Sequence, residues 1–365
     1  MSFTFVKLKK IDKYILLKFL GTFFLSISLI IVIVIVFDIS EKIESFVGKK
    51  APLHAIVFDY YLNFIPYFVN LFSPLFTFIA VIFFTSRMAA RSEIVAILSS
   101  GLSFWRMLFP YFLASFLIAS CSLLLNSYII PHANKKRQNF EDQYVNGKYH
   151  HDKWNIHLQI EPGTFIYIEH YDNDQNFAPK FSMEKIKNNR LYYKLMSDGI
   201  KWDSIRGNWQ IQNYVIRKIS GDKEVLSYGK SLDTTIAMKP LDFGRQASSI
   251  ETMTTPRLNK YIREEKEKGT PNIELFEIEK YKRVAMPFAT FILTLIGVSL
   301  SSRKVRGGIG IHIGFGLVIS FSYILFMQVS ATFATNGQLS PFIAVWIPNI
   351  LYSFLAVSLV KNAPK

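Results

Sequence analysis

The chain has 365 residues, half of them hydrophobic, with 33 Phe and 18 Tyr, too apolar a composition for an ordinary soluble protein of that length. Its net charge of +15 does not read as a nucleic-acid surface: residues 132–283 hold 26 Lys+Arg against 21 Asp+Glu, and the rest of the excess sits on short flanks of uncharged runs, as it does beside membrane spans. A single cysteine, Cys121, excludes an intrachain disulfide or a cysteine-based metal cluster, and inside an apolar run it reads as a small core residue.

A membrane span needs roughly 20 apolar residues to cross ~30 Å of hydrocarbon. Phe19–Phe37 is the first candidate; it is too long for a signal-peptide core and lacks a small-x-small cleavage site. Its β-branched stretch Ile30–Val36 would suit a strand, but the length of the uncharged run predicts a helix. The second run, Ala55–Thr85, contains Asp59, Asn63, Pro66, Asn70 and Pro74. It predicts a kinked helix whose polar residues face a cavity or other helices rather than lipid.

Ser86–Ser103 follows, and reads as a short helix over 86–101 stopped by Gly101. Met88, Ile94, Ala96 and Leu98 are apolar, while Arg87, Arg91 and Glu93 are charged. One reading is an amphipathic linker lying on the membrane surface. The other is a docking helix for a soluble partner, with Glu93 paired to a basic residue there. The third span is Trp105–Ile130, closed by Pro131.

From Asn155 to Met238 the pattern changes to short strands. Phe165–Ile168 is β-branched and aromatic, and Trp209–Arg217 mostly alternates apolar with polar. Turn signals recur at Pro162-Gly163, Asp198-Gly199, Arg206-Gly207-Asn208 and Gly221-Asp222, predicting an antiparallel sandwich or open barrel. Thr255 and Pro256 then open a charged helix that ends at Gly269, and Thr270-Pro271 opens another that runs into the fourth span. The last three spans are Val284–Leu300, Ile309–Phe333 and Pro341–Val360. Gly310 and Gly314 have small-xxx-small spacing, which predicts close helix packing rather than phosphate binding.

Six spans put both termini on one side. Lys7, Lys9, Lys10, Lys13 and Lys18, then Arg87, Arg91 and Arg106, then Arg303, Lys304 and Arg306, then Lys361 and Lys365 all fall on that side, which is therefore expected to be cytoplasmic. The strand-rich segment is then extracytoplasmic. No catalytic constellation stands out. There is no phosphate-binding Gly-x4-Gly-Lys-Ser/Thr loop and no His-Glu-x-x-His zinc helix, and His150, His151 and His157 read as solvent-exposed polar residues.

Several of these segments resemble one family. Ala90-Arg-Ser-Glu-Ile-Val-Ala96 with Ser100-Gly-Leu-Ser103 is similar to the cytoplasmic coupling-helix signature of the LptF/LptG permeases of lipopolysaccharide export. Ile11–Lys18 looks like that family's first amphipathic turn, Phe37–Lys42 its exit from the first span, Phe165–Glu169 a strand of its periplasmic domain, and Pro341–Asn349 its last span. The Arg-Ser-Glu form and the Phe-Asp exit look more like LptG.

The resemblance implies a polytopic α-helical membrane protein with six transmembrane helices, three plus three, around an inserted all-β, jellyroll-like periplasmic domain. Its blocks would be 1–131, with the coupling helix at 86–101, then 132–270 and 271–365. It implies an inner-membrane permease subunit, not itself an enzyme, that extracts lipopolysaccharide and passes it to a periplasmic bridge. The partners implied are a paralogous LptF or LptG subunit, an LptB-like ATPase dimer that alone binds ATP, and an LptC-like bridge protein, with no cofactor in this chain. Arg91, Ser92, Glu93 and Gly101 would take up the ATPase stroke, and Lys42 would meet the lipid's phosphates. A second basic position of the family, inside the first span, is apolar here near Ile35. Three other classes compete: another ABC-type lipid or lipoprotein exporter, which commonly has four spans; a lipid-modifying enzyme, for which Asp38, Glu41 and Asp59 are the only seeds; and a sensor or structural protein with no transport role, which would show no partner ATPase.

Overall fold

A computed structural model describes residues 9–145, 155–172, 175–204, 206–221, 223–236, 238, 240, 250–268, 273–303 and 309–363. Lys7, His150, His151, Gly269, Thr270, Pro271, Lys304, Arg306, Gly307, Gly308 and Lys365 lie outside the described residues. In chain order the helices are α1 (Lys10–Gly48), α2 (Leu53–Ala90), α3 (Glu93–Ser99), α4 (Phe104–Tyr144), α5 (Thr255–Lys268), α6 (Glu274–Ser301), α7 (Ile309–Thr335) and α8 (Pro341–Lys361). The chain divides into two compact units, Met1–Arg137 with Glu277–Lys365, and Gln138–Phe276.

All the helices named except α3 and α5 are long and apolar enough to cross a membrane, three before the β segment and three after it. In α1, Ile15, Phe19, Phe23, Ile27 and Ile31 recur every fourth residue and form its buried stripe. The β-branched run Ile30–Val36 is helical throughout, with Val32, Ile33 and Val36 exposed and Ile31 in the buried stripe. Of the polar residues of α2, Asn70 is used between helices as expected, whereas Asp59 is exposed and Asn63 bonds within its own helix. Asn70 donates to Asn126 at 3.0 Å and accepts from Ser122 at 2.6 Å, tying α2 to α4. Buried Ser115 of α4 donates to Thr294 of α6 at 2.8 Å.

Both α2 and α4 contain a widened π turn, at Ile56–Tyr61 and Leu125–Ile129. Asn63 donates to the carbonyls of Phe58 and Asp59 at 2.9 and 3.0 Å, satisfying acceptors at the first widened turn. The second explains why Pro131 does not end the helix as the sequence suggests. In a regular helix its ring would press on the carbonyl of Ser127; the π turn that contains Ser127 opens that spacing, and α4 continues to Tyr144.

Two expectations are corrected here. Gly310 and Gly314 face open space; the close approaches fall at Gly316 and Gly297, where an added Cβ would lie 2.3 Å from Ile82 and 2.9 Å from Val81 of α2. Cys121 is exposed rather than buried, since the buried stripe of α4 runs through Ala114, Ser115, Ile118, Ala119 and Ser122.

The second unit is built on an antiparallel sheet of β1 (Ile156–Glu161), β2 (Thr164–Ile168), β3 (Phe177–Pro179), β4 (Ser182–Lys187), β5 (Arg190–Asp203), β6 (Asn208–Ser220) and β7 (Lys223–Thr234). The order is β1-β2-β4-β5-β6-β7, with β3 also on β5. The jellyroll-like expectation thus takes the form of one continuous antiparallel sheet. One face is apolar across the strands: Ile166 pairs Met183, Met183 pairs Leu195, and Ile200 pairs Ile211. Trp209 is fully buried there and donates its indole N–H to the Met238 carbonyl at 2.8 Å. Gly199 is not a turn residue. It sits within β5 because a Cβ there would lie 2.2 Å from the Phe177 ring, so glycine is what lets β3 pair at that point. His157 is exposed on β1, its ring 4.8 Å from that of Tyr167.

Candidate functional site

The segment between α2 and α4 is not the single helix over 86–101 that the sequence suggests. Residues 86–90 are the last turn and a half of α2, and Met88 is buried there in the helical body. The chain then breaks at Arg91–Ser92, where Ser92 adopts left-handed backbone with φ 59°. Serine in that conformation is uncommon and costs about 1–2 kcal/mol. The seven-residue α3 follows, closed by Gly101 at φ +84°. Left-handed residues therefore bracket α3 on both sides and turn the chain sharply at each.

α3 is anchored by Ile94, which is buried, and by Ile97 and Leu98, which pack on the same core as Ile15, Phe19 and Phe104. Its other face presents Val95, Ala96 and Ser99 to solvent, so Ala96 is not part of the buried face as expected. Glu93 is half-buried at the first turn, where a carboxylate suits the helix dipole. It does not wait unattached: Tyr14 of α1 donates to its Oε2 at 3.0 Å. Among the described residues its Oε1 has no partner, and Arg91 beside it is exposed with no ion pair. Beyond α3, Ser103 caps α4 by accepting from the Arg106 N–H, and Arg106 grips Asp12 through two bonds of 2.7 and 2.6 Å.

Lys42 lies near the opposite end of α1. Its ammonium pairs with Asp38 at 2.9 Å one turn earlier and also donates to the hydroxyl of Tyr60, which is fully buried. Tyr60 and Tyr61 each donate to the Asp38 carboxylate at 3.0 Å. Asp38 is thus a structural acceptor at the crossing of α1 with the widened turn of α2.

Past that turn, α2 and α4 line a cleft of about 440 Å³ that includes Asn63, Tyr128, His132 and Lys136. Both basic residues lie beyond Pro131, on the part of α4 that extends past the apolar run read from the sequence. His132 holds its Nδ1 against the Tyr128 carbonyl at 2.7 Å, which fixes Nδ1–H as the donor and leaves Nε2 exposed.

Two triplets of membrane-crossing helices around an inserted antiparallel sheet, with a short bracketed helix between the second and third, define a polytopic permease carrying an all-β domain. A family model described as lipopolysaccharide export system permease LptF/LptG matches residues 13–362, and the chain belongs to that family. It is a multi-pass inner-membrane protein of lipopolysaccharide export. Similar proteins include lipopolysaccharide export system permease protein LptG of Escherichia coli K12, 18% identical over 302 residues, 82% of this chain and 83% of that one. LptG of Escherichia coli O6:H1 matches with the same figures.

Proposed function

We propose that this chain is an LptG-like permease subunit of an ATP-driven lipopolysaccharide exporter, with α3 as the element that meets the ATPase. The bracketed geometry of α3 carries the reading. One face is buried in the helical body, the other offers Val95, Ala96 and Ser99, and Glu93 and Arg91 stand at its start. A soluble LptB-like ATPase would cover the open face and pair a basic group with the Glu93 carboxylate. On this reading Lys10, Lys13, Arg91 and Arg106 face the cytoplasm, both termini lie there too, and the β domain is periplasmic.

Lifting an acyl chain out of a bilayer costs ~0.8 kcal/mol for each CH₂ left in water. Several chains per molecule require an external energy source and a covered apolar route. ATP is bound and hydrolysed by the partner, since this sequence has no phosphate-binding loop. The apolar face of the sheet would supply the route toward an LptC-like bridge. A paralogous LptF subunit would cover the outward apolar faces of α1 and α7, where Leu25, Leu29, Phe315 and Val318 are exposed. Lys42, with His132 and Lys136 across the α2 turn, would meet the lipid's phosphates.

The test is purification of the Glu93→Ala and Glu93→Arg chains in mild detergent, with quantitation of the copurifying ATPase. The expected result is at least a tenfold loss of ATPase, or hydrolysis uncoupled from lipid release. Normal assembly together with normal lipid export in both variants would overturn the assignment of α3.

A further inference from the structure

The start of α1 is fastened to both ends of the segment that contains α3. At the near end, the Tyr14 hydroxyl is bonded to Glu93 at 3.0 Å, and its ring sits edge-on against Phe84, 6.2 Å between centroids. At the far end, the Asp12 carboxylate takes both terminal nitrogens of Arg106 at 2.7 and 2.6 Å. Asp12 is 1% exposed and also accepts the Lys9 backbone N–H at 2.8 Å, so it caps α1 with the same group that holds Arg106. A bidentate guanidinium–carboxylate pair fixes direction as well as distance. Asp12 is the buried partner, so loss of Arg106 would strand its charge, whereas the Arg106 side chain is itself partly exposed.

The links of α3 to its own neighbours in sequence are weaker. On one side is the sharp break at Arg91–Ser92, and on the other the turn at Gly101–Ser103. Each could flex and absorb a displacement of α3. The Tyr14–Glu93 bond bypasses the first joint and joins α3 directly to a helix with no break from Lys10 to Gly48, while the Asp12–Arg106 pair holds the start of that same helix to α4, beyond the second joint. Lys42 lies on that helix, and at 1.5 Å per residue it is about 42 Å from Tyr14.

We infer that Tyr14 and Asp12 are positioning residues, Tyr14 tying the ATPase-facing α3 to α1 and Asp12 bracing that end of α1 on the start of α4, so that displacement of α3 is delivered along the first helix to the Asp38–Lys42 end. This rests on the proposed role of α3. It adds that the first helix, rather than α2 or α4 alone, receives the stroke. It also explains why Glu93, placed to meet a partner, already holds a bond to Tyr14.

The experiment uses the complete complex of this chain with its copurifying subunits, reconstituted in nanodiscs with lipopolysaccharide. Tyr14→Phe, Asp12→Asn and the exchanged pair Asp12→Arg with Arg106→Asp are compared with wild type. Three quantities are read: ATPase copurified, ATP hydrolysed, and lipid released per ATP. A fourth is the nucleotide-dependent distance change between spin labels at Phe37 of α1 and Phe354 of α8, in a Cys121→Ser background. The expected result for Tyr14→Phe and Asp12→Asn is ATPase content and hydrolysis within twofold of wild type, at least a fivefold fall in lipid per ATP, and loss of the distance change. The exchanged pair should recover more than half of the coupling, and it is the unchanged ATPase content and hydrolysis of the single variants that separates a coupling loss from a folding defect. Wild-type lipid per ATP with an intact distance change would overturn the inference. So would loss of the ATPase from Tyr14→Phe and Asp12→Asn, which would make these docking residues. Failure of the docking reading is registered separately, by Glu93→Ala retaining both the ATPase and export.

Discussion

Tyr323 of α7 donates its hydroxyl to the Asn349 side chain of α8 at 2.8 Å, with both residues buried in the helical body. The Asn349 amide in turn donates to the Ala285 carbonyl of α6 at 3.0 Å, so one side chain joins the three C-terminal helices. Hydrogen bonds between helices in an apolar body are worth about 0.6 kcal/mol each on average, and more when removal strands a partner. Asn349→Ala is expected to cost about 1–3 kcal/mol, read as a lower unfolding midpoint in detergent. An unchanged midpoint would contradict the three-helix tie.

Ser92 makes the break before α3 and pays for it in backbone strain. Ser92→Gly should remove that strain and leave ATPase copurification at or above wild type. Ser92→Val places a β-branched residue at positive φ, where it is poorly tolerated. Copurification with the valine variant should fall severalfold. Equal values for glycine and valine would show that this backbone shape is not required for docking.

Trp209 is the largest fully buried side chain, and Trp202 stacks edge-on against it at 5.0 Å. Trp209→Ala should destabilise the β unit by about 3–5 kcal/mol. Trp209→Phe keeps much of the packing but leaves the Met238 carbonyl without its indole donor, at a cost of about 1–3 kcal/mol. Urea unfolding followed by near-ultraviolet circular dichroism separates the two, and the order Ala worse than Phe is the checkable outcome.

Tyr171, in the core of the same unit, has its phenol pushed up to about 12 by burial, with the nearby Asp172 charge adding to the effect. The folded state therefore keeps a proton that the unfolded chain releases from its ordinary value near 10.0. The stability this contributes is complete below pH 10 and is lost as pH rises toward 12. Tyr171→Phe should flatten the fall in β-unit stability over that interval, measured by thermal melts at stepped alkaline pH. A fall as steep as wild type would locate the alkaline sensitivity elsewhere.

What the sequence revealed follows from how locally each feature is encoded. Spans are local: some 20 uncharged residues suffice, and every run read from Phe19 to Val360 lies within a membrane-length helix. The strands around Phe165 and Trp209 were visible for the same reason, through composition and alternation. The break at Ser92 was not, because serine carries no left-handed signal and the flanking residues favour helix. Pro131 misleads because proline is a weak stop within membrane-length helices: Pro66, Pro74, Pro110, Pro287 and Pro348 also lie inside them. In the candidate site Glu93 could be singled out from its neighbours. Its partner Tyr14 lies 79 positions away, and Asp12 lies 94 from Arg106. Such pairings depend on how three helices meet, which no short window of sequence encodes.

The π turns in α2 and α4 each hold one residue more than an α-helix of equal rise, and one extra residue amounts to about 100° of rotation. Deleting a residue from either would therefore act less like shortening a rod than like twisting its outer portion. Tyr60 and Tyr61 would swing off Asp38, and Asn126 would turn away from Asn70. Small length differences at these two levels would let related chains turn different side chains into the same place while the bundle beneath keeps its shape.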